Sequence, residues 1–240
     1  FASFKTNFNF MTEWGLKPKA YAYPGSSGEK LSTQLANAAA GFICARGSTV
    51  DPSKYYVLAN GTRKPENWYF LPSVVMGNAS VRYIDTHEKL SPILDQTLEN
   101  TAWLILTYHA IGIPDGWSFY PLRDFERDLD QIQAGEFWSA NFDAAASYIQ
   151  ERNHLRIELL AATATRESRF FQLLISDGLR NDIYEQPLTF SLQVGRHSGL
   201  EFAGISSELS GPLQTTRKAG EIRFDVIPDE RVYTLTFVRQ

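Results

Sequence analysis

Trp103-Leu104-Ile105-Leu106-Thr107-Tyr108 is the strongest strand signal in the chain, and His109 follows it directly. Its unbroken apolar run suits a strand covered on both faces, as in a parallel sheet flanked by helices. Upstream, Ala20-Tyr21-Ala22-Tyr23 reads as a short buried strand, stopped by Pro24-Gly25-Ser26-Ser27-Gly28. Residues 29–40 then read as a helix with Leu31 and Leu35 on one face, and Gly41-Phe42-Ile43-Cys44-Ala45 returns as a strand. This strand–helix–strand alternation predicts a parallel α/β arrangement.

Further elements extend the pattern. Phe4, Phe8, Met11 and Trp14 repeat at helical spacing, with Gly15 where a C-cap would stand. Residues 47–80 are rich in Gly, Pro, Asn and Ser and read as long surface loops. A helix ending near Asn100 has two candidate starts: a capping box from Asp85 to Glu88, or Ser91 as N-cap with Pro92 at the first helical position. The second is the expectation, because Pro92 would otherwise interrupt the helix. Helices are also expected over 123–134 and 142–152, the latter with Ala146, Tyr148 and Ile149 on its inner face.

Near His154 the character changes. Residues 155–160, 169–175, 188–194, 221–226 and 232–238 are strand-like, mostly alternate in hydrophobicity, and are separated by turns rather than helices. They predict a small all-β sandwich. The expected division is therefore an α/β part over 1–153 and a β-rich domain over 154–240.

Composition narrows the function classes. The 240 residues are 43% hydrophobic with a net charge of −4, and no run of either sign provides the clustered basic face that nucleic acid requires. Cys44 is the only cysteine, which excludes an intrachain disulfide and a zinc site built from several thiolates. No apolar run approaches the ~20 residues that span a bilayer. Two sequons, Asn60-Gly61-Thr62 and Asn78-Ala79-Ser80, would accept glycans in a eukaryotic secretory pathway. Phe1 opens in what reads as the middle of a domain.

Few residues carry chemistry. His109 stands at the carboxyl end of a buried strand, where α/β barrels collect catalytic groups, and its ordinary pKa near ~6.5 suits a general acid. The alternative is a strand-end histidine whose ring bonds to backbone. The turn at Tyr23-Pro24-Gly25 is expected to expose backbone amides and the Tyr23 ring at the same edge, where amides can stabilise an oxyanion; a purely structural turn is the alternative. Aromatics at Trp68, Tyr69 and Phe70, and at Trp117, Phe119 and Tyr120, either stack on sugar or pack internally. Trp117 is the best sugar candidate because it follows the His109 strand so closely, whereas Trp138 is expected to pack against the last helices.

"YAYPGSSGEKLSTQLANAAAGFICARG", "ENTAWLILTYHAIG", "FERDLDQI" and "GEFWSANFDAAASYIQERN", in this order, resemble the last segments of a polysaccharide deacetylase of the carbohydrate esterase 4 class. The resemblance covers roughly residues 1–153. It implies the closing half of a (β/α) barrel, with Tyr23, Pro24 and Gly25 forming one groove wall and Arg46 a charged groove residue. It further implies His109 as the acid acting on the leaving group. The expected reaction is hydrolysis of N- or O-acetyl groups on a glycan, by a secreted or periplasmic enzyme using a divalent metal, with zinc the foremost choice.

The departures are as informative. The family's Asp-Asp pair and its His-x-x-x-His pair, which supply the base and the metal ligands, do not occur. The four histidines are His87, His109, His154 and His197, and no two are four apart. The groove-wall Arg is also absent, with Lys19 and Ala20 nearby. A metal site from Asp85, His87 and His109 is not expected, and no ligand set is identified in this chain. Either the metal-binding half precedes Phe1 or belongs to a partner chain, or the chain is a non-catalytic carbohydrate-binding or scaffolding protein. The first is favoured, because half a barrel exposes strand edges and apolar surface. No Gly-x-Ser-x-Gly elbow supports a serine hydrolase.

Overall fold

A computed structural model describes residues 2–59, 61, 63–79, 84–194, 199–218 and 220–239. Asn60, Thr62 and Ser80 of the sequons, and His197, lie outside the described residues. The chain divides into two compact units, Phe1–Ala146 and Ser147–Gln240. The division falls within the last helix, a little before the residue 154 expected from the change in sequence character.

The first unit runs α1 (Ala2–Glu13), β1 (Ala20–Ala22), α2 (Leu31–Ala40), β2 (Cys44–Arg46), β3 (Tyr56–Val57), β4 (Val74–Val75) and α3 (His87–Glu99). It continues with β5 (Trp103–Leu104), β6 (Leu106–Thr107), β7 (Ala110–Ile111), β8 (Phe119–Tyr120), α4 (Leu122–Ala134) and the start of α5 (Phe142–His154).

Its strands are short, but their pairing is orderly. β1 lies parallel to β2, with Tyr21 opposite Ala45. On the far side of β2 the backbone around Leu71 also runs parallel: Leu71 N–H donates to Ala45 O at 2.9 Å, and Gly47 N–H to Leu71 O at 3.0 Å. That segment leads into β4, which pairs in parallel with β6 through Val74 N–H to Ile105 O (2.8 Å) and Met76 N–H to Thr107 O (2.9 Å). Consecutive parallel segments therefore stand side by side in chain order. This is the order of a barrel wall, whereas a doubly wound sheet reverses its order at a switch point. No closed barrel forms among the described residues. Because the segments are parallel, their carboxyl ends share one edge, which carries the Tyr23 turn, Arg46, Gly77 and His109.

The 103–108 run is divided rather than continuous. β5 pairs antiparallel with β3, and β6 pairs with β4. Only Ile105 in this run is buried, so the expected cover on both faces is not present along its length. Leu104, Leu106 and Tyr108 pack with Leu90, Leu94 and Phe125 of α3 and α4. On the alternate face Trp103 stacks on Phe142.

Two helices depart from expectation. α3 begins at His87 and carries Pro92 inside it, rather than starting at Pro92. The proline removes one backbone hydrogen bond. Burial of Leu90 and Leu94, and the ties of His87 to Asp128 and Glu88 to Arg127, hold the extra turn in place. α2 turns Gln34, Asn37 and Ala40 inward and leaves Leu31 and Leu35 at 67% and 61% exposure. Gln34 selects that face: its Nε2 donates to Gly28 O (2.8 Å) and its Oε1 accepts from Asn67 Nδ2 (2.9 Å).

Gly77 has φ +106°, and a Cβ there would lie 2.3 Å from Ser118 O. Gly77→Ala is expected to lower stability by more than about 1 kcal/mol, since both the conformation and the backbone approach exclude a side chain. A urea titration reads this as a lower midpoint, and an unchanged midpoint would refute it.

The second unit holds β9 (Arg156–Ala164), β10 (Ser168–Ser176), β11 (Leu188–Gln193), β12 (Leu200–Ser207), β13 (Gly211–Pro212), β14 (Thr216–Lys218), β15 (Glu221–Val226) and β16 (Asp229–Arg239). They form two antiparallel sheets, ordered β13-β12-β16-β10-β9 and β11-β15-β14. Both sheets feed one apolar core, with Ile175, Phe202, Tyr233, Leu235 and Phe237 from the first and Ile222, Phe224 and Val226 from the second. β12 escaped the sequence reading because its register shifts between Phe202 and Gly204, which breaks the period of two.

Candidate functional site

The site is best built outward from His109. Tyr108 and His109 follow β6, and alternation along an extended chain sends the two side chains to opposite faces. Tyr108 turns inward to pack edge-on against Tyr120 and Phe125, at centroid separations of 5.2 and 5.0 Å. His109 is exposed, and its ring makes no hydrogen bond among the described residues. The backbone-bonded histidine considered from sequence is therefore not what the structure contains.

Trp117 meets His109 edge-on, with ring centroids 4.4 Å apart and planes at 81°. The loop between them is closely tied. β7 pairs in parallel with β8, Gly112 N–H donates to Tyr120 O (2.8 Å), and Gly116 N–H donates to Ile113 O (3.0 Å). Ser118, at φ +56°, donates its hydroxyl to Met76 O (2.7 Å), and Asn78 and Phe119 exchange two hydrogen bonds. Trp117 is thereby held out at 63% exposure beside the histidine. An exposed imidazole thus stands beside a largely exposed indole.

The Tyr23-Pro24-Gly25 turn sits on the same edge. Tyr23 N–H donates to Arg46 O (3.1 Å), and Ser26 N–H closes the turn onto Tyr23 O (3.1 Å). Gly25 takes φ +56°, and Pro24 and Gly25 are exposed. The Tyr23 ring is not exposed as expected: it is 5% accessible, packed near Phe4, Tyr21 and Phe70, and its hydroxyl donates to Tyr69 O at 3.0 Å. Burial pushes its pKa up to about 12. Gly28 lies against the ring, where any Cβ would clash, so the turn folds over Tyr23 rather than presenting it. Tyr23 packs behind the turn, and Pro24 and Gly25 are its exposed part.

Arg46 is half-buried, and burial holds its pKa below the usual guanidinium value. Its Nη1 donates to Ser73 Oγ (3.2 Å), whose hydroxyl in turn donates to Gly47 O. No carboxylate pairs with it among the described residues, so most of its donors stay available to a ligand oxygen. Arg46 and the turn are joined through backbone. No hydrogen bond or ring contact among the described residues links them to His109 and Trp117. Trp138, expected among the last helices, is 56% exposed.

A further group went unread in the sequence. Asp128 of α4 is fully buried (0% exposed) and accepts three hydrogen bonds. His87 Nδ1 donates to Oδ1 at 2.8 Å, while Tyr108 and Tyr120 hydroxyls donate to Oδ2 at 2.9 and 2.8 Å. Burial first, and then the adjacent carboxylate, push both tyrosine pKa values well above the ordinary phenol. The legible signal was spacing: Asp128 lies three residues after Phe125 and four before Ile132, on the apolar face of α4. An acid there must find partners or neutralise.

The divalent metal implied by the resemblance does not fit these residues. Among the described residues no group of three or more His, Cys, Asp or Glu side chains is placed to hold a metal. His87 engages Asp128, Asp85 pairs with Lys89 at 2.6 Å, and burial pushes the Cys44 thiol far up. No helix among the described residues is long and apolar enough to cross a membrane. No family model and no curated protein matches the chain.

Proposed function

We propose that this chain supplies the acid-bearing half of a secreted or periplasmic, metal-dependent deacetylase acting on an acetylated polysaccharide or oligosaccharide. The observation that carries the reading is the His109–Trp117 pair on the carboxyl edge of a sequential parallel ladder. The metal-binding half, with zinc as the foremost metal, lies in this proposal outside the chain, before Phe1 or on a partner. The (β/α)-barrel reading of 1–153 and the sandwich reading of 154–240 belong to the same proposal.

Within it, Trp117 offers a flat apolar face to a sugar ring. Pro24 and Gly25 line the opposite wall, and Arg46 donates to ligand oxygens. As the acetyl C–N or C–O bond breaks, His109 gives its proton to the departing sugar nitrogen or oxygen. A poor leaving group needs that proton, and a positioned imidazole is a common donor for it.

Removing the Trp117 face should weaken binding more than chemistry. For Trp117→Ala, KM for a glycan is expected to rise about tenfold, the equivalent of one contact of roughly 1.4 kcal/mol, with kcat changed less. Unchanged KM would remove Trp117 from the groove. The reading as a whole is tested by chelation of the native protein: acetate release from an acetylated glycan should stop and return with added zinc. Chelator-resistant release would refute the metal-dependent reading, and glycan binding without release would point to a non-catalytic carbohydrate-binding or scaffolding protein.

A further inference from the structure

We infer that Asp128 is a positioning residue that holds the His109–Trp117 pair in register, acting through Tyr108 and Tyr120. The inference rests on the deacetylase reading for its consequence in catalysis, and on geometry alone for the clamp itself. Tyr108 immediately precedes His109, and Tyr120 follows Trp117 by three residues. Both hydroxyls donate to the same oxygen, Asp128 Oδ2, at 2.9 and 2.8 Å. One carboxylate therefore ties the two ends of the segment that carries both exposed rings.

The rest of the arrangement fixes the carboxylate. A carboxylate accepts only, so His87 donates from Nδ1 to Oδ1, anchoring Asp128 to the first turn of α3. Edge-on packing among Tyr108, Tyr120 and Phe125 restrains the rings from the side. His109 itself has no hydrogen bond among the described residues, and Trp117 reaches it only by ring contact. The 4.4 Å pairing of two rings that lack hydrogen bonds among the described residues thus depends on their backbone, tied between them by the β7–β8 pairing and the Ser118 and Asn78 bonds and at its two ends by Tyr108 and Tyr120. Alanine removes both acceptor oxygens, whereas asparagine could keep an oxygen on the two tyrosines by turning its NH₂ to His87 Nδ1, so alanine is the variant that breaks the clamp.

The test compares the native protein with Asp128→Ala and with the double variant Tyr108→Phe, Tyr120→Phe, which keeps both rings and deletes only the hydroxyls. Two quantities are read on folded protein: the NMR cross-relaxation between His109 and Trp117 ring protons, and kcat for acetate release from an N-acetylglucosamine oligosaccharide. Both variants are expected to lose the cross-relaxation, and kcat to fall about 100-fold, the usual consequence of a misplacement near 1 Å. A merely structural role would lower the melting temperature and leave both readouts of the folded fraction intact. Retained cross-relaxation overturns the inference, as does unchanged kcat in a variant that has lost it. If Asp128→Ala does not fold, the tyrosine variant decides. If the parent protein releases no acetate, the deacetylase reading fails, while the cross-relaxation still decides whether Asp128 sets the pair.

Discussion

His109→Ala is expected to cut acetate release from an acetylated glycan by about 10²–10⁴-fold, the usual contribution of a positioned general acid, while zinc binding by the native protein is largely kept. The two halves of that expectation have separate grounds. His109 is exposed, free of hydrogen bonds among the described residues and set against Trp117, so its removal disturbs little packing. The described residues form no metal cluster that includes it. An activated aryl acetate, whose leaving group departs without a proton, should lose far less activity in the same variant. Steady-state kinetics on both substrates, with calorimetric titration of zinc, would read all three. Full glycan activity in His109→Ala would remove the role assigned to it.

Phe237→Ala should destabilise the β-rich unit by about 3–5 kcal/mol, because truncating a buried aromatic loses its transfer energy and leaves a cavity. Phe237 is buried on β16, which pairs with both β10 and β12 in the larger sheet. Its ring meets Phe171 and Phe202 edge-on, each at 5.6 Å, so three rings lose contacts together. The neighbouring outward residue offers the control: Thr236→Ala, on the opposite face of the same strand, is expected to cost far less. Urea unfolding followed by circular dichroism at β wavelengths would separate the two. Similar midpoints for both variants would mean that the ring cluster does not organise this core.

How much of this was legible in the sequence depends on how local the determining physics is. α1, α4 and α5 follow apolar spacing, and α4 and α5 begin within a residue of the expected 123 and 142. β15 and β16 alternate clearly and are found where alternation places them, while β10 is marked by its apolar run Phe170-Phe171 and Leu173-Leu174-Ile175. The start of α3 was misplaced because a local rule about Pro92 yielded to tertiary ties from His87 and Glu88 to α4. β12 was missed because a bulge hides its period. Tyr23 was expected at the surface because the chain turns sharply after it, yet the direction of its ring is set by Gly28 and the aromatics around it, which no local pattern reveals.

The candidate site divides the same way. His109 at a strand end and Trp117 shortly after it were readable, and the structure adds that their rings touch. Arg46 comes from a resemblance, and its lack of a carboxylate partner among the described residues appears only in three dimensions. Asp128 is the clearest case of a residue in plain view but unread. Its position on the apolar face of α4 signals a buried acid, but the donors that satisfy it come from three separate segments of the chain.

The most direct test of the central claim is to mix the native protein with an acetylated glycan and follow bound glycan and free acetate in the same sample. The deacetylase reading predicts acetate released catalytically, many equivalents per protein, with binding and release both weakened when Trp117 is removed. Tight binding with no acetate beyond the background would contradict it, and would make the His109–Trp117 edge a sugar-binding surface without chemistry.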